Sequence, residues 1–382
     1  MIAYNIADLR NADIQEEAMA AFKKECVTRE EYETVKTAYP SALYMPNPFI
    51  RIGLLLLTLV ITVFTFGLIA LIMFSNSSPS ETTTGVVLIF YGLICYGALE
   101  FFIREKHHYR SGVDDGLAWS AAVLILSGCT LLWELDPDSI TFCLIIFALG
   151  AFFAIRFLNM LMGLAAFGAL MGALFFALSW NGPAVLPFIY MAVSALVYFA
   201  AHKYAGHPYH GPTLQLIEIA ALLMFYVAGN YFVVRETGQE LHGHDFQMAA
   251  GWLFWLLTIL VPLVYIYGGI RKKDKILLRT GLLLIAFIVF TIRYYHSVMP
   301  LETAMALGGA MMILLAYALI QYLKTPRHGF TNEEQHEAET LKGLQIAESL
   351  VIAQTFKEVP QQPDQFEFGG GSTRGGGAGG DF

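Results

Sequence analysis

From Ile52 to Leu323 the chain alternates long apolar runs with short polar breaks, and polar sequence flanks this block on both sides. A helix needs about 20 apolar residues to cross the hydrocarbon core of a bilayer. The runs fit that length. Residues 52–74, 85–103, 117–135, 139–155, 158–180, 185–201, 213–234, 248–270, 276–297 and 303–323 read as ten spans. Only Arg156 and Phe157 separate the fourth from the fifth. A single helix over 139–180 would run roughly 60 Å, twice the hydrocarbon thickness, so two antiparallel spans are expected there. The pattern predicts an all-α polytopic bundle of about ten helices over 49–324, flanked by small helical ends.

The ends have their own periodicity. Asn11 to Glu25 carries Ile14, Ala18, Ala21 and Phe22 at helical spacing. Thr28 with Glu31 three residues later is a capping-box signature, and Tyr32, Val35 and Tyr39 continue the helix it opens. Pro40 stops that helix, and Pro46 and Pro48 favour an extended approach to the membrane. Residues 1–48 therefore read as a helical hairpin. An acidic amphipathic helix is expected within 325–358, with Leu341, Leu344 and Leu350 on its apolar side. Residues 359–382 form a glycine-rich tail that cannot bury a core.

Phe22-Lys23-Lys24, then VTREEYETVKTAYP over 27–40, then an immediate first span resembles a known bacterial group. These are uncharacterised multi-pass membrane proteins with an N-terminal cytosolic helical hairpin, a domain-of-unknown-function type. The resemblance covers about the first 75 residues and the multi-span layout. It implies a bacterial inner membrane. The group has no established activity, so the resemblance implies none.

Charge adds an orientation. Only 14% of residues are charged, against roughly 25% in a soluble domain. The net charge is −8, with most of the acid in the two ends. With the N-terminus inside, the inner loops carry Arg104, Lys106 and Arg110, then Arg156, then Lys203, then Arg271, Lys272, Lys273 and Lys275, then Lys324 and Arg327. The outer loops carry Arg235 alone. The positive-inside rule then puts both termini in the cytosol. Basic residues that track span ends argue against nucleic-acid binding. The expected partners are the lipid bilayer and a protein at the cytosolic ends. The first apolar run follows some fifty polar residues, so the first span is expected to act as the insertion signal.

Candidate chemistry is sparse. Ionisable groups inside spans are costly and are functional candidates by default. Glu100 lies near the inner end of the second span, Glu218 less than two turns into the seventh, and Arg279 one turn into the ninth. All three share a depth in the cytosolic third, and if they face one another they form one polar cluster with Arg104. The plainer reading pairs Glu100 with Arg104 at i,i+4 and lets Arg279 snorkel. His107, His108, His202, His207 and His210 lie in or beside cytosolic loops and are weak metal candidates, since their spacing is not diagnostic. Cys26, Cys95, Cys129 and Cys143 are scattered and form no CxxC pair, so no disulfide framework and no cysteine zinc site is expected. No HExxH, GxSxG or Walker loop occurs, and no cofactor is implied. The sequence favours a non-catalytic scaffold or sensor over an enzyme. A transporter of a small solute or ion, using the polar cluster, is the alternative. A metal-dependent enzyme using the cytosolic histidines is a third class.

Overall fold

The computed structural model describes residues 2–24, 26–74, 80–178, 185–242 and 250–295, together with 303, 306, 308–310, 313, 314, 317, 318 and 321. Among these residues the chain is helical, without a β-strand. Two short helices, α1 (Ile6–Lys23) and α2 (Arg29–Ala38), precede α3 (Pro48–Phe74), α4 (Glu81–Lys106), α5 (Val113–Leu132), α6 (Ile140–Phe157), α7 (Met160–Leu178), α8 (Leu186–Tyr204) and α9 (Gly211–Gly229). Then follow α10 (Tyr231–His242), α11 (Gly251–Lys272) and α12 (Lys275–Tyr295). Nine of these, α3 to α9 with α11 and α12, are long and apolar enough to cross a bilayer. Their outward faces expose large apolar side chains such as Phe64, Leu71, Phe90 and Trp252, a surface that lipid covers and water does not. The protein is a multi-pass membrane protein. The tenth expected span is described only at the ten scattered positions above, all helical. The expected C-terminal helix and glycine-rich tail, 325–358 and 359–382, lie outside the described residues.

Local chemistry sets the helix boundaries. Thr28 and Glu31 form the expected capping box: Glu31 N donates to Thr28 Oγ1, and Thr28 N donates to Glu31 Oε2. The first span starts before Ile52, because Pro48 occupies the first helical position and Asn47 Oδ1 accepts from Ile50 N at 2.9 Å. The turn between the fourth and fifth spans falls at Leu158 and Asn159, two residues after the expected break. Leu158 is left-handed (φ 54°), and Asn159 Oδ1 caps α7 by accepting from Met162 N at 3.0 Å.

The spans pack as antiparallel hairpins: α4 with α5, α6 with α7, α8 with α9, and α11 with α12. The turns closing these hairpins are short. Small residues set the close approach. A side chain at Gly128 would meet Gly85 O at 2.7 Å, one at Gly150 would meet Met162 O at 2.8 Å, and one at Gly269 would meet Leu278 N at 2.6 Å. Of the small-residue face expected on the fifth span, Gly163 packs on Thr213 of α9 and Gly172 on Cys143 of α6, while Gly168 faces open space. Gly308 and Gly309 likewise face open space.

Two buried cores result. One joins the N-terminal segment to α4, α5 and α6 around Leu9, Leu99, Ala121 and Phe153. The other joins α7, α8, α9, α11 and α12 around Ala221, Leu222, Tyr226 and Leu284.

The seventh span is shorter than its hydropathy suggests. Helix α9 ends at Gly229, and Asn230 is extended (ψ 128°) before α10 begins. Residues from Arg235 to His242, expected as loop, are helical. Asn230 supports the break itself. Its Oδ1 accepts from Phe232 N at 2.9 Å, and its Nδ2 donates to Tyr226 Oη and Thr291 Oγ1. Tyr231 N, freed by the break, donates to Thr258 Oγ1 at 2.9 Å. Buried backbone and amide groups are thus satisfied at membrane depth.

Candidate functional site

Three polar sites stand out, and the single cluster that shared depth allowed, had Glu100, Glu218 and Arg279 faced one another, is not among them. Its glutamates close on separate partners.

Glu100, on α4, accepts from Arg156 Nε of α6 at 2.5 Å and from Tyr96 Oη at 2.9 Å, both through Oε1. Arg104 Nε lies 3.1 Å from Oε2 but lacks hydrogen-bond direction. The i,i+4 pair foreseen from spacing exists, yet Arg104 is 63% exposed and Arg156 only 20%. The better-shielded partner is therefore Arg156, which comes from another hairpin. Aromatic rings close the site, with Tyr96 edge-on to Phe153 and Phe157. A carboxylate so well matched by guanidinium groups is a structural ion pair.

Glu218, on α9, is 1% exposed. Its Oε1 lies 2.9 Å from His202 Nδ1, on the last turn of α8. Asp274, in the turn between α11 and α12, brings Oδ2 to 4.0 Å from the same nitrogen. The Asp274 side chain is anchored at Oδ1, which accepts from Ile276 N and Leu277 N as the cap of α12. Its Oδ2 is buried without a hydrogen-bond partner. Tyr198, one turn before His202, stacks on the imidazole at 5.6 Å. Arg279 is exposed on the surface of α12, as the plainer reading of a snorkelling arginine has it.

The third site holds the N-terminal segment. Asp114 Oδ1 accepts from Ser111 N, Ser111 Oγ and Gly112 N, all at about 3 Å. Its Oδ2 lies 3.4 Å from the Tyr4 hydroxyl. Asp115 binds Arg51 at 2.7 Å and accepts from Asn159 Nδ2 at 2.9 Å, tying α3, α5 and the α6–α7 turn together. Ala3 N donates to Arg156 O, and Tyr44 exchanges backbone bonds with His107 and Tyr109. Tyr4 stands edge-on to Tyr109 at 5.0 Å. Burial, and then the Asp114 carboxylate, push the Tyr4 hydroxyl well above its ordinary pKa. Through Tyr4 and Leu9 the start of the expected hairpin is thus built into the bundle's first core, while α2 carries no buried residue.

The remaining loop histidines have structural places. His107 is the exposed left-handed cap of α4. His108 Nδ1 bonds Ser111 Oγ at 2.8 Å, and burial holds its imidazole below the ordinary pKa. His207 Nδ1 accepts from Tyr209 N and His210 N within its turn. Burial, then His207, lower the pKa of His210. Among the described residues, the group of three that could share one ion is His202, Glu218 and Asp274.

No protein family, curated protein or solved structure matches the chain.

Glu100 with Arg104 is legible from i,i+4 spacing and is present. The cross-helix partners are not: Arg156 stands in the sequence as one basic residue of an inner loop, and Asp274 carries no signal of its own. A usable signal was present for one pair. Folding the chain back at the His207–His210 turn puts the last turn of α8 beside the start of α9, so His202 and Glu218 share a depth.

Proposed function

We propose that this protein is a non-catalytic membrane scaffold or sensor whose working surface is the N-terminal helical pair. The observation that carries this reading is the burial of Leu9 (2% exposed) and Tyr4 (6%) in the bundle's own core. A helical pair on a loose tether moves independently of the spans. One that shares their core changes its setting whenever α4, α5 or α6 shifts, and so couples events in the membrane to a soluble partner. The outward face of α2, with Glu33, Lys36 and Thr37 exposed, is free to meet that partner. The positive-inside pattern supports a cytosolic N-terminus, and the resemblance of the first span and its hairpin supports a bacterial inner membrane.

The test is a photo-crosslinking amino acid at Lys36 in living cells. The expected result is one adduct of defined mass, lost when Tyr4→Ala and Leu9→Ala undock the pair. No adduct at Glu33, Lys36 or Thr37 would sink the reading.

Transport of a small cation is the second reading, favoured by the buried Glu218 with His202 and Asp274. Ion flux into vesicles containing the purified protein, abolished by Glu218→Gln, would bring it forward.

A further inference from the structure

We propose that His202, Glu218 and Asp274 form a binding site for a divalent transition-metal ion, one per chain. The three residues come from α8, α9 and the α11–α12 turn, so the fold and not local sequence assembles them. Their ligand atoms lie within 4.8 Å of one another. Ligands at the usual 2.0–2.2 Å from a zinc-like ion stand roughly 3 to 3.5 Å apart; the two separations from His202 Nδ1 are 2.9 Å and 4.0 Å, and the carboxylate oxygens lie within 4.8 Å of each other, so the carboxylates must draw in for an ion to be shared. Small side-chain movements complete the shell.

Charge points the same way. Two carboxylates this close, one of them 1% exposed, repel each other strongly in a low-dielectric interior. The imidazole between them can offset one charge. A divalent ion offsets both and gives Asp274 Oδ2, which accepts no hydrogen bond, a direct ligand contact. The proton shared by His202 and Glu218 leaves to solvent when the ion enters. One nitrogen and two carboxylate oxygens suit zinc, manganese or ferrous iron better than calcium, which prefers an all-oxygen shell.

The supporting contacts are those that metal sites need. Backbone N–H groups of α12 hold the non-ligating oxygen of Asp274, and the Tyr198 ring fixes the imidazole plane. His202 is half exposed while Glu218 is buried, so the site opens past the imidazole at the α8–α9 turn. This arrangement is distinct from the loop histidines His107, His108, His207 and His210, which are engaged elsewhere or exposed.

The experiment uses the full chain in lipid nanodiscs, stripped with a chelator and dialysed against zinc chloride or cobalt chloride. The expected result is one equivalent of zinc per chain and a cobalt visible spectrum typical of nitrogen and oxygen ligands. Asp274→Asn is the key variant, since asparagine keeps the cap on Ile276 and Leu277 and removes only the ligand charge. It and Glu218→Gln should each weaken zinc binding at least 100-fold. His207→Ala with His210→Ala should leave it unchanged. Thermal melting separates loss of binding from loss of fold. Zinc should raise the melting temperature of the parent protein but not of Asp274→Asn, and without metal Asp274→Asn should melt no lower than the parent. Absence of stoichiometric zinc, or zinc bound equally well by Asp274→Asn and Glu218→Gln, would overturn the proposal.

Discussion

Replacing Gly112 with alanine should cost about 3 kcal/mol or more of folded stability, although it adds one methyl group. Gly112 closes the turn from α4 to α5 with φ at 90°, where an L side chain is strained. A Cβ there would also fall on the carbonyl oxygen of Arg51 and come within 2.9 Å of Leu55 N. These are backbone atoms of α3, so no rotamer relieves the clash and α3 must move off α5. That movement parts Arg51 from Asp115 and opens the site that holds Tyr4. Gly97→Ala and Gly168→Ala are the controls. Both positions face open space on helices, so alanine there should be neutral or slightly stabilising. Thermal melting in one detergent reads all three. Equal losses at Gly112 and Gly97 would contradict the packing described.

Removing the Arg156 side chain should cost about 3 kcal/mol, whereas removing that of Arg104 should cost no more than about 1 kcal/mol. The difference comes from shielding. Arg156→Ala leaves Glu100, 15% exposed, facing an arginine that is mostly in solvent or headgroups. Arg104→Ala leaves the short bond to Arg156 intact. Adding Glu100→Gln to Arg156→Ala should recover part of the loss, because the buried charge goes with its partner. Denaturant or thermal unfolding of the two single variants and the double variant checks this. Equal effects at Arg104 and Arg156 would mean that the pair within α4 carries the interaction after all.

These two cases mark where the sequence is informative. The length and spacing of the apolar runs predicted the described spans, because lipid forces the backbone to satisfy itself within each helix. The capping box at Thr28 and Glu31 was also legible, since its partners are three residues apart. Glu100 and Arg156 are 56 residues apart, and their meeting depends on how α4 and α6 rotate about their axes. Hydropathy fixes the depth of a residue and says little about rotation. That is why depth alone allowed Glu100, Glu218 and Arg279 to be grouped, while packing gave the two glutamates separate partners. Asn230 hid for a related reason. A lone asparagine in an apolar run reads as a tolerated polar residue until Thr258 and Thr291 are seen to satisfy the break it makes. The docking of Tyr4 and Leu9 could not be read from hydropathy, because Ile6 is as apolar as Leu9 and yet is 56% exposed.

Thiol labelling reads that docking directly. Cys26 is the exposed native cysteine among the described residues, and Cys95, Cys129 and Cys143 are buried, so Cys26→Ser provides a quiet background. Leu9→Cys and Ile6→Cys are then labelled separately with a membrane-impermeant maleimide in nanodiscs. Leu9 is 2% exposed and Ile6 56%, three residues apart on one helix. Labelling should be rapid at position 6 and at least 100-fold slower at position 9, where it tracks the opening of the core. Equal rates at the two positions would mean that the N-terminal helices ride free of the bundle, and the scaffold reading built on them would fall.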